Sequence, residues 1–160
     1  MEEKENSVGI KLLEIREVLF SNKMSDYLVD NFDEDKLNFK LGFSVTGDKK
    51  KNIINLSVII NYLFVDKKKY KKPLEFLKLE TETSFQLFNT TEEQIKFEKG
   101  SNRIFIGDDL MLLFMNSAIG ATRGMLAYKI ASLPINFIFP LIDVARVLNS
   151  EDLKDQIEKG

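Results

Sequence analysis

The chain of 160 residues has no histidine and no cysteine, and those two gaps exclude more chemistry than anything present supplies. Without imidazole there is no Ser-His or Cys-His nucleophile pair and no ring nitrogen for a metal. Without thiols there is no thiolate catalysis, zinc knuckle or disulfide. Tryptophan is also absent, proline occurs three times and glycine eight times. The glycines form neither Gly-x-x-x-x-Gly-Lys-Ser/Thr nor Gly-x-Gly-x-x-Gly, so no glycine-rich turn cradles a phosphate. Only carboxylate or lysine chemistry is left for an enzyme, and the chain reads as a non-enzyme with no cofactor. Each apolar run is interrupted by Asn, Lys, Arg or Pro short of the roughly 20 residues a bilayer requires. The opening MEEKENS lacks the basic and apolar regions of a signal peptide. A cytoplasmic protein that does not insert into membranes is expected.

Charge is similarly uninformative about partners, since 23 Lys and Arg against 25 Asp and Glu leave a formal −2. That balance gives no global pull toward nucleic acid or anionic lipid. What the chain does have is apolar mass: 44% hydrophobic residues, including thirteen phenylalanines. This supports one domain over 1–160, with the polar 1–7 and the charged 150–160 expected to be flexible.

Strict alternation marks the strands. Leu37, Phe39, Leu41, Phe43 and Val45 share one face of a strand over 36–46. After the polar turn at 47–50, Ile54, Leu56, Val58, Ile60, Tyr62 and Phe64 oppose Asn55, Ser57 and Asn61, which makes a hairpin. A third strand places Leu77, Leu79, Thr81, Thr83, Phe85 and Leu87 opposite Lys78, Glu80, Glu82, Ser84 and Gln86, antiparallel to the second. Residues 10–20 read as a further strand with a bulge at the adjacent Leu12 and Leu13, or alternatively as a helix. Residues 22–35 read as a loop.

Past Gly107 the pattern becomes helical. Asp108 is the expected N-cap of a helix running to Leu133, whose polar positions Asp109, Asn116 and Arg123 form one narrow stripe. Such a helix should be covered on two sides. Gly120 and Gly124, with Ser117, Ala121, Ala127 and Ala131, recur at helical spacing and are expected to let another backbone pack closely. Pro134 should stop this helix, and a second should begin near Asn136, with Pro140 tolerated in its first turn and the helix running toward Asn149. A short amphipathic piece around Leu153 and Ile157 could follow. The fold class is therefore α+β, a four-stranded antiparallel β-meander followed by helices on one face.

Several clusters invite a chemical reading and favour a plainer one. Glu80 and Glu82 lie on one strand face about 7 Å apart, and a solvated sheet face explains them without a metal. Asp108 and Asp109 suit a helix start. The turn of Lys67, Lys68, Lys69, Tyr70, Lys71 and Lys72 could grip phosphates with Tyr70 stacking on a base, although charged hairpin tips are ordinary. The surplus of apolar surface points instead to a subunit interface or an aromatic groove.

The segment Pro134-Ile135-Asn136-Phe137-Ile138-Phe139-Pro140, after a glycine-containing helix and before Leu141-Ile142-Asp143-Val144-Ala145-Arg146, resembles the Pro-Asn-Ile-Leu-Phe-Pro signature of the SecB family of bacterial protein-export chaperones. Leu74-Glu75-Phe76-Leu77-Lys78-Leu79-Glu80 is similar to that family's Phe-Leu-Cys-Glu-Val strand, and Phe85-Gln86-Leu87-Phe88 falls where its Ile-Phe-Ser-Ile-like close lies. The likeness covers residues 8–150 by pattern and order. The family's proline-rich stretch after the second helix has no counterpart here. The resemblance implies a homotetramer, a dimer of dimers, that binds unfolded or preprotein polypeptides in apolar grooves without nucleotide. It implies as partner the export ATPase or, in an antitoxin-chaperone relative, a toxin–antitoxin pair. Phe76, Phe85, Phe88, Phe137 and Phe139 are the expected groove or interface residues, and Gly120 and Gly124 the packing residues. A nucleic-acid-binding protein using the lysine turn is the reading from a different class.

Overall fold

A computed structural model describes residues 8–101 and 103–149; the expected amphipathic piece near Leu153 and the flexible ends 1–7 and 150–160 lie outside the described residues. Four long antiparallel strands form the main sheet: β1 (Gly9–Asn22), β2 (Leu37–Asp48), β3 (Ile53–Phe64) and β4 (Leu74–Phe88). Their spatial order is β1-β4-β3-β2. The meander thus runs β2–β3–β4, and β1 joins it at β4, on the edge far from its sequence neighbour.

The alternation in the sequence becomes the burial pattern directly. Every second residue of β3 from Ile54 to Phe64, and of β4 from Leu77 to Leu87, is buried on one face. The turn from β2 to β3 is held by Asp48, whose carboxylate accepts from the backbone N–H groups of Lys50 and Lys51 at 2.9 and 3.2 Å. Asn52 completes it at φ 53°, a left-handed conformation that asparagine tolerates. The bulge expected at Leu12–Leu13 is present, and a second follows: the β1–β4 register slips between Leu12 and Glu14 and again between Glu17 and Leu19.

Residues 22–35 are more ordered than the loop expected there. They contain a short helix α1 (Asp26–Asp30), capped by Ser25, and a 3-10 turn at Glu34–Lys36. Leu28 at the centre of α1 is completely buried, and that anchor is the tertiary contact that polar flanking residues concealed.

A small hairpin of β5 (Ile95–Phe97) and β6 (Ile104–Ile106) follows β4 and closes over the end of β2 at Gly47. A Cβ on Gly47 would stand 2.5 Å from Ile104 Cδ1 and 2.8 Å from Phe97 Cε1, so a side chain there would have to push the ends of these two hairpin side chains aside.

The long helix α2 (Asp108–Ile130) then crosses the buried sheet face over β3 and β4. Asp108 is its first residue rather than its cap. Gly107 occupies the cap position and offers no side-chain hydrogen bond, while Asp108 and Asp109 face the positive end of the helix dipole. Phe114 stacks on Phe85 with ring centroids 4.6 Å apart. The small Thr81 and Thr83 lie where β4 runs under the helix. Thr122 Oγ1 lies 2.6 Å from Thr81 Oγ1 and donates to the Ala118 carbonyl at 2.8 Å. The Thr122 proton is committed to Ala118, so Thr81 is the donor between the two.

Beyond α2 the structure departs from the expected second helix. After a bend at Pro134 and Ile135, residues 136–142 carry no helix, and among the described residues beyond α2 only α3 (Val144–Leu148), capped by the Asp143 side chain on Arg146 N–H at 3.1 Å, is helical. Ile135, Phe137 and Phe139 are buried, while Asn136 and Ile138 between them are exposed, the period of a strand. Pro140 biases Phe139 away from the helical region, and β-branched and aromatic residues around it favour extension. Phe137 seats in an aromatic trough, 4.6 Å from Tyr62, 6.0 Å from Phe76 and 6.1 Å from Phe32. Phe139 stacks on Phe39 at 5.8 Å. Among the described residues, 134–142 make no backbone–backbone hydrogen bond, so alternate side chains alone hold this strap.

The Tyr62 hydroxyl in that trough is buried with no hydrogen-bond partner, and burial pushes its pKa up. Replacing it with phenylalanine keeps the ring contacts and removes an unsatisfied donor. Y62F is expected to raise stability by about 1 kcal/mol in chemical denaturation, and a loss of stability would mean that the hydroxyl has a partner.

Candidate functional site

Between the outer edge of α2 and the strap lies an open groove of about 470 Å³. Gly120, Gly124, Ala127 and Ala131 line its helical side, and Phe137, Ile138 and Phe139 its other wall. These small side chains fall at i, i+4, i+7 and i+11, one stripe of a helix. A Cβ on Gly120 or Gly124 would meet nothing within 4 Å. The close approach of another backbone expected at these two glycines is therefore not made within the chain, because they face away from the sheet. Arg123 is the charged residue of the groove. Three large apolar residues stand almost free nearby in sequence: Tyr128 at 80% exposure, Ile138 at 85% and Leu141 at 83%.

The five expected aromatics do not form one site. Phe76 and Phe85 are buried at 1% and 3% exposure inside the chain's own core, so neither lines a groove nor an interface. Both lie on the sheet face that α2 and the strap already cover. Phe137 and Phe139 plug the sheet with most of their rings and contribute their remaining surface to the groove wall. Phe88 is half-exposed at the end of β4, against Gly9.

Sequence reasoning missed a second apolar surface. Leu12, Leu13, Ile15, Val18 and Leu19 on β1 are all between 38% and 49% exposed. Nothing in the alternation of β1 marked it as an edge; that follows only from the sheet order.

The other candidate clusters are engaged structurally. Glu82 Oε1 accepts from Arg16 at 2.8 Å, and among the described residues no group of three or more acidic side chains could hold a metal. In the lysine turn, Tyr70 packs edge-on against Tyr27 at 6.0 Å and Lys69 lies 5.1 Å over the Tyr27 ring. The Tyr27 hydroxyl donates to Asp66 at 2.8 Å and the Lys68 N–H donates at 3.0 Å, bonds that hold the Asp66 carboxyl below the usual carboxylate range. Tyr70 is thereby committed to the fold rather than free to stack on a base.

One helix, α2, is long and apolar enough to cross a membrane by length and composition, with a mean hydropathy of 1.3. The interruptions expected from the sequence are present at Asn116, Arg123 and Lys129, and the apolar and small residues between them keep the average high. Its sheet-facing side is buried in this fold.

No family model matches the chain, and no curated protein matches it. Among solved structures it is similar to the crystal structure of a protein of unknown function from Streptococcus agalactiae, at 10% identity and a TM-score of 0.37, over 85% of this chain and 99% of that one.

Proposed function

We propose that the protein is an ATP-independent holdase, a cytoplasmic SecB-like chaperone that binds unfolded polypeptides along the groove between α2 and the strap. The observation that carries this reading is the groove itself: a glycine and alanine stripe facing an aromatic wall, with no Cβ neighbour at Gly120 or Gly124. A small-residue floor admits the side chains of an extended segment, and the apolar wall removes them from water at about 25 cal/mol per Å². The site lacks any arrangement for positioning a reacting atom, which suits capture rather than turnover. In this reading several such grooves on a homo-oligomer, a tetramer built as a dimer of dimers, add their affinities for one long client. Delivery to the export ATPase or protection of an antitoxin are the two roles in which such a holdase would serve.

The test is suppression of aggregation of a reduced, unfolded client as a function of holdase concentration, for the wild type and for G120L/G124L. Open space at both positions means that leucine fills the groove without disturbing the core. Each client side chain excluded forfeits about 1.5–3 kcal/mol, so the concentration needed for suppression should rise about tenfold or more. Absence of suppression by the wild type overturns the proposal, and suppression unchanged in the filled variant removes the groove as its site.

A further inference from the structure

Arg123 stands in the groove without a counter-charge. It is half-buried on the groove side of α2, between Gly120 and Gly124, and among the described residues its guanidinium makes neither an ion pair nor a hydrogen bond. Lys129, half-buried on the same helix, has the Glu17 carboxylate at 2.7 Å. Nothing comparable serves Arg123. The acids of α2 are Asp108 and Asp109, about 20 Å away along the axis at 1.5 Å per residue. The strap over 134–142 contains no acidic residue, and the Asp143 carboxylate beyond it accepts from the Arg146 N–H at 3.1 Å.

A segment lying in the groove changes the surroundings of that charge. While the groove is open, water solvates the guanidinium. An apolar segment that covers it removes this water and supplies no partner, which is strongly unfavourable for a charged group. A carboxylate on the segment compensates, because the guanidinium fork can donate two parallel N–H bonds to it. Length fixes where that carboxylate must lie. The stripe from Gly120 to Ala131 spans about 16 Å of helix, room for about five residues of extended chain, and Arg123 lies toward its Gly120 end. An acid at one end of a short apolar run meets the guanidinium while the run itself lies against Ala127, Ala131 and the aromatic wall.

We infer that Arg123 selects the clients of this groove, which takes extended apolar segments carrying an acidic side chain at one end, with the carboxylate paired to the guanidinium. This rests on the groove being a polypeptide site and adds the class of sequence captured there. Neutral and basic apolar segments are then discriminated against by the charge they fail to supply or the repulsion they add. Since the whole chain carries a formal −2, no long-range field favours an acidic client, and any such preference is local to the groove.

The test is calorimetric titration of the full chain with acetylated, amidated peptides in which four apolar residues adjoin Glu, Gln or Lys, on either side of the run. The single varied side chain is then the only charge. For the wild type, the Glu peptide in its better orientation should bind about tenfold or more tightly than its Gln counterpart, and the Lys peptide should bind more weakly than either. The gap between Glu and Gln should narrow as salt rises. R123Q should erase that gap, and R123E should make the Lys peptide the tightest. Arg123 makes no bond within the chain, so both variants should keep the wild-type circular dichroism. Equal affinity of the wild type for all three peptides, with all three lost in G120L/G124L, overturns the inference and leaves the groove as a polypeptide site. An unchanged Glu preference in R123E overturns it as well. A wild type that binds none of the peptides overturns both the inference and the groove reading beneath it.

Discussion

Truncation of Phe137 to alanine is expected to lower the free energy of unfolding by about 3–5 kcal/mol, the range for deletion of a buried aromatic side chain. Its ring is 5% exposed and fills the trough formed by Phe32, Tyr62 and Phe76. The surroundings have little means of collapsing into the void, because Tyr62 is registered against Leu77 in the β3–β4 ladder and Phe76, at the register shift beside it, is itself 1% exposed. The strap over them has no backbone hydrogen bonds of its own, so the variant should also open locally: amides of residues 135–142 should exchange faster than in the wild type under conditions where the sheet stays protected. Urea unfolding measures the first effect and hydrogen exchange the second. A loss below about 1 kcal/mol would show that Phe137 does not seat the strap. The same burial makes F137A a poor probe of binding, since it disturbs the fold that carries the groove, whereas the glycine positions fill it from outside.

Thr122→Val is expected to cost about 1–3 kcal/mol, and Thr81→Val distinctly less. The asymmetry comes from the direction of the hydrogen bonds. Thr122 passes its proton to the Ala118 carbonyl and accepts the proton of Thr81. T122V therefore strands a buried Thr81 donor, while T81V leaves the Thr122 donor satisfied. In the double variant both hydroxyls are gone and valine matches threonine in shape, so much of the T122V loss should return. A double-mutant cycle in urea reads this directly: equal single-variant costs that simply add would reject the stated direction. The pair lies between β4 and the middle of α2, so it also reports how α2 is held in place over the sheet.

Much of the fold was legible from residues 37–88, because a strand buried on one face writes its environment into every second position. Leu56, Val58 and Ile60 are buried, and Ser57 and Ile59 between them are only partly so. The bulge at Leu12–Leu13 was legible for the same reason, as a break in period two. The strap was misread: Ile135, Phe137 and Phe139 alternate with Asn136 and Ile138, but two prolines after a long helix favoured a helical junction. Tertiary seating of Phe137 among Phe32, Tyr62 and Phe76 decided against the helix. The candidate groove residues divided for a similar reason. Phe76, Phe85 and Phe137 are equally apolar as letters, and only the placement of α2 and the strap makes two of them core and the third a wall.

By itself, then, the sequence determined the α+β class, the faces of β2, β3 and β4, the long helix after Gly107 and the exclusion of imidazole and thiol chemistry, all properties carried by local period or by residues simply absent. The tertiary structure decided that β1 pairs with β4 and leaves its apolar edge open, that Gly120 and Gly124 face a groove rather than a neighbour, and that the strap is not a helix. Those outcomes depend on contacts between residues far apart in the chain, and a period read along one segment carries no information about which distant segment will cover it.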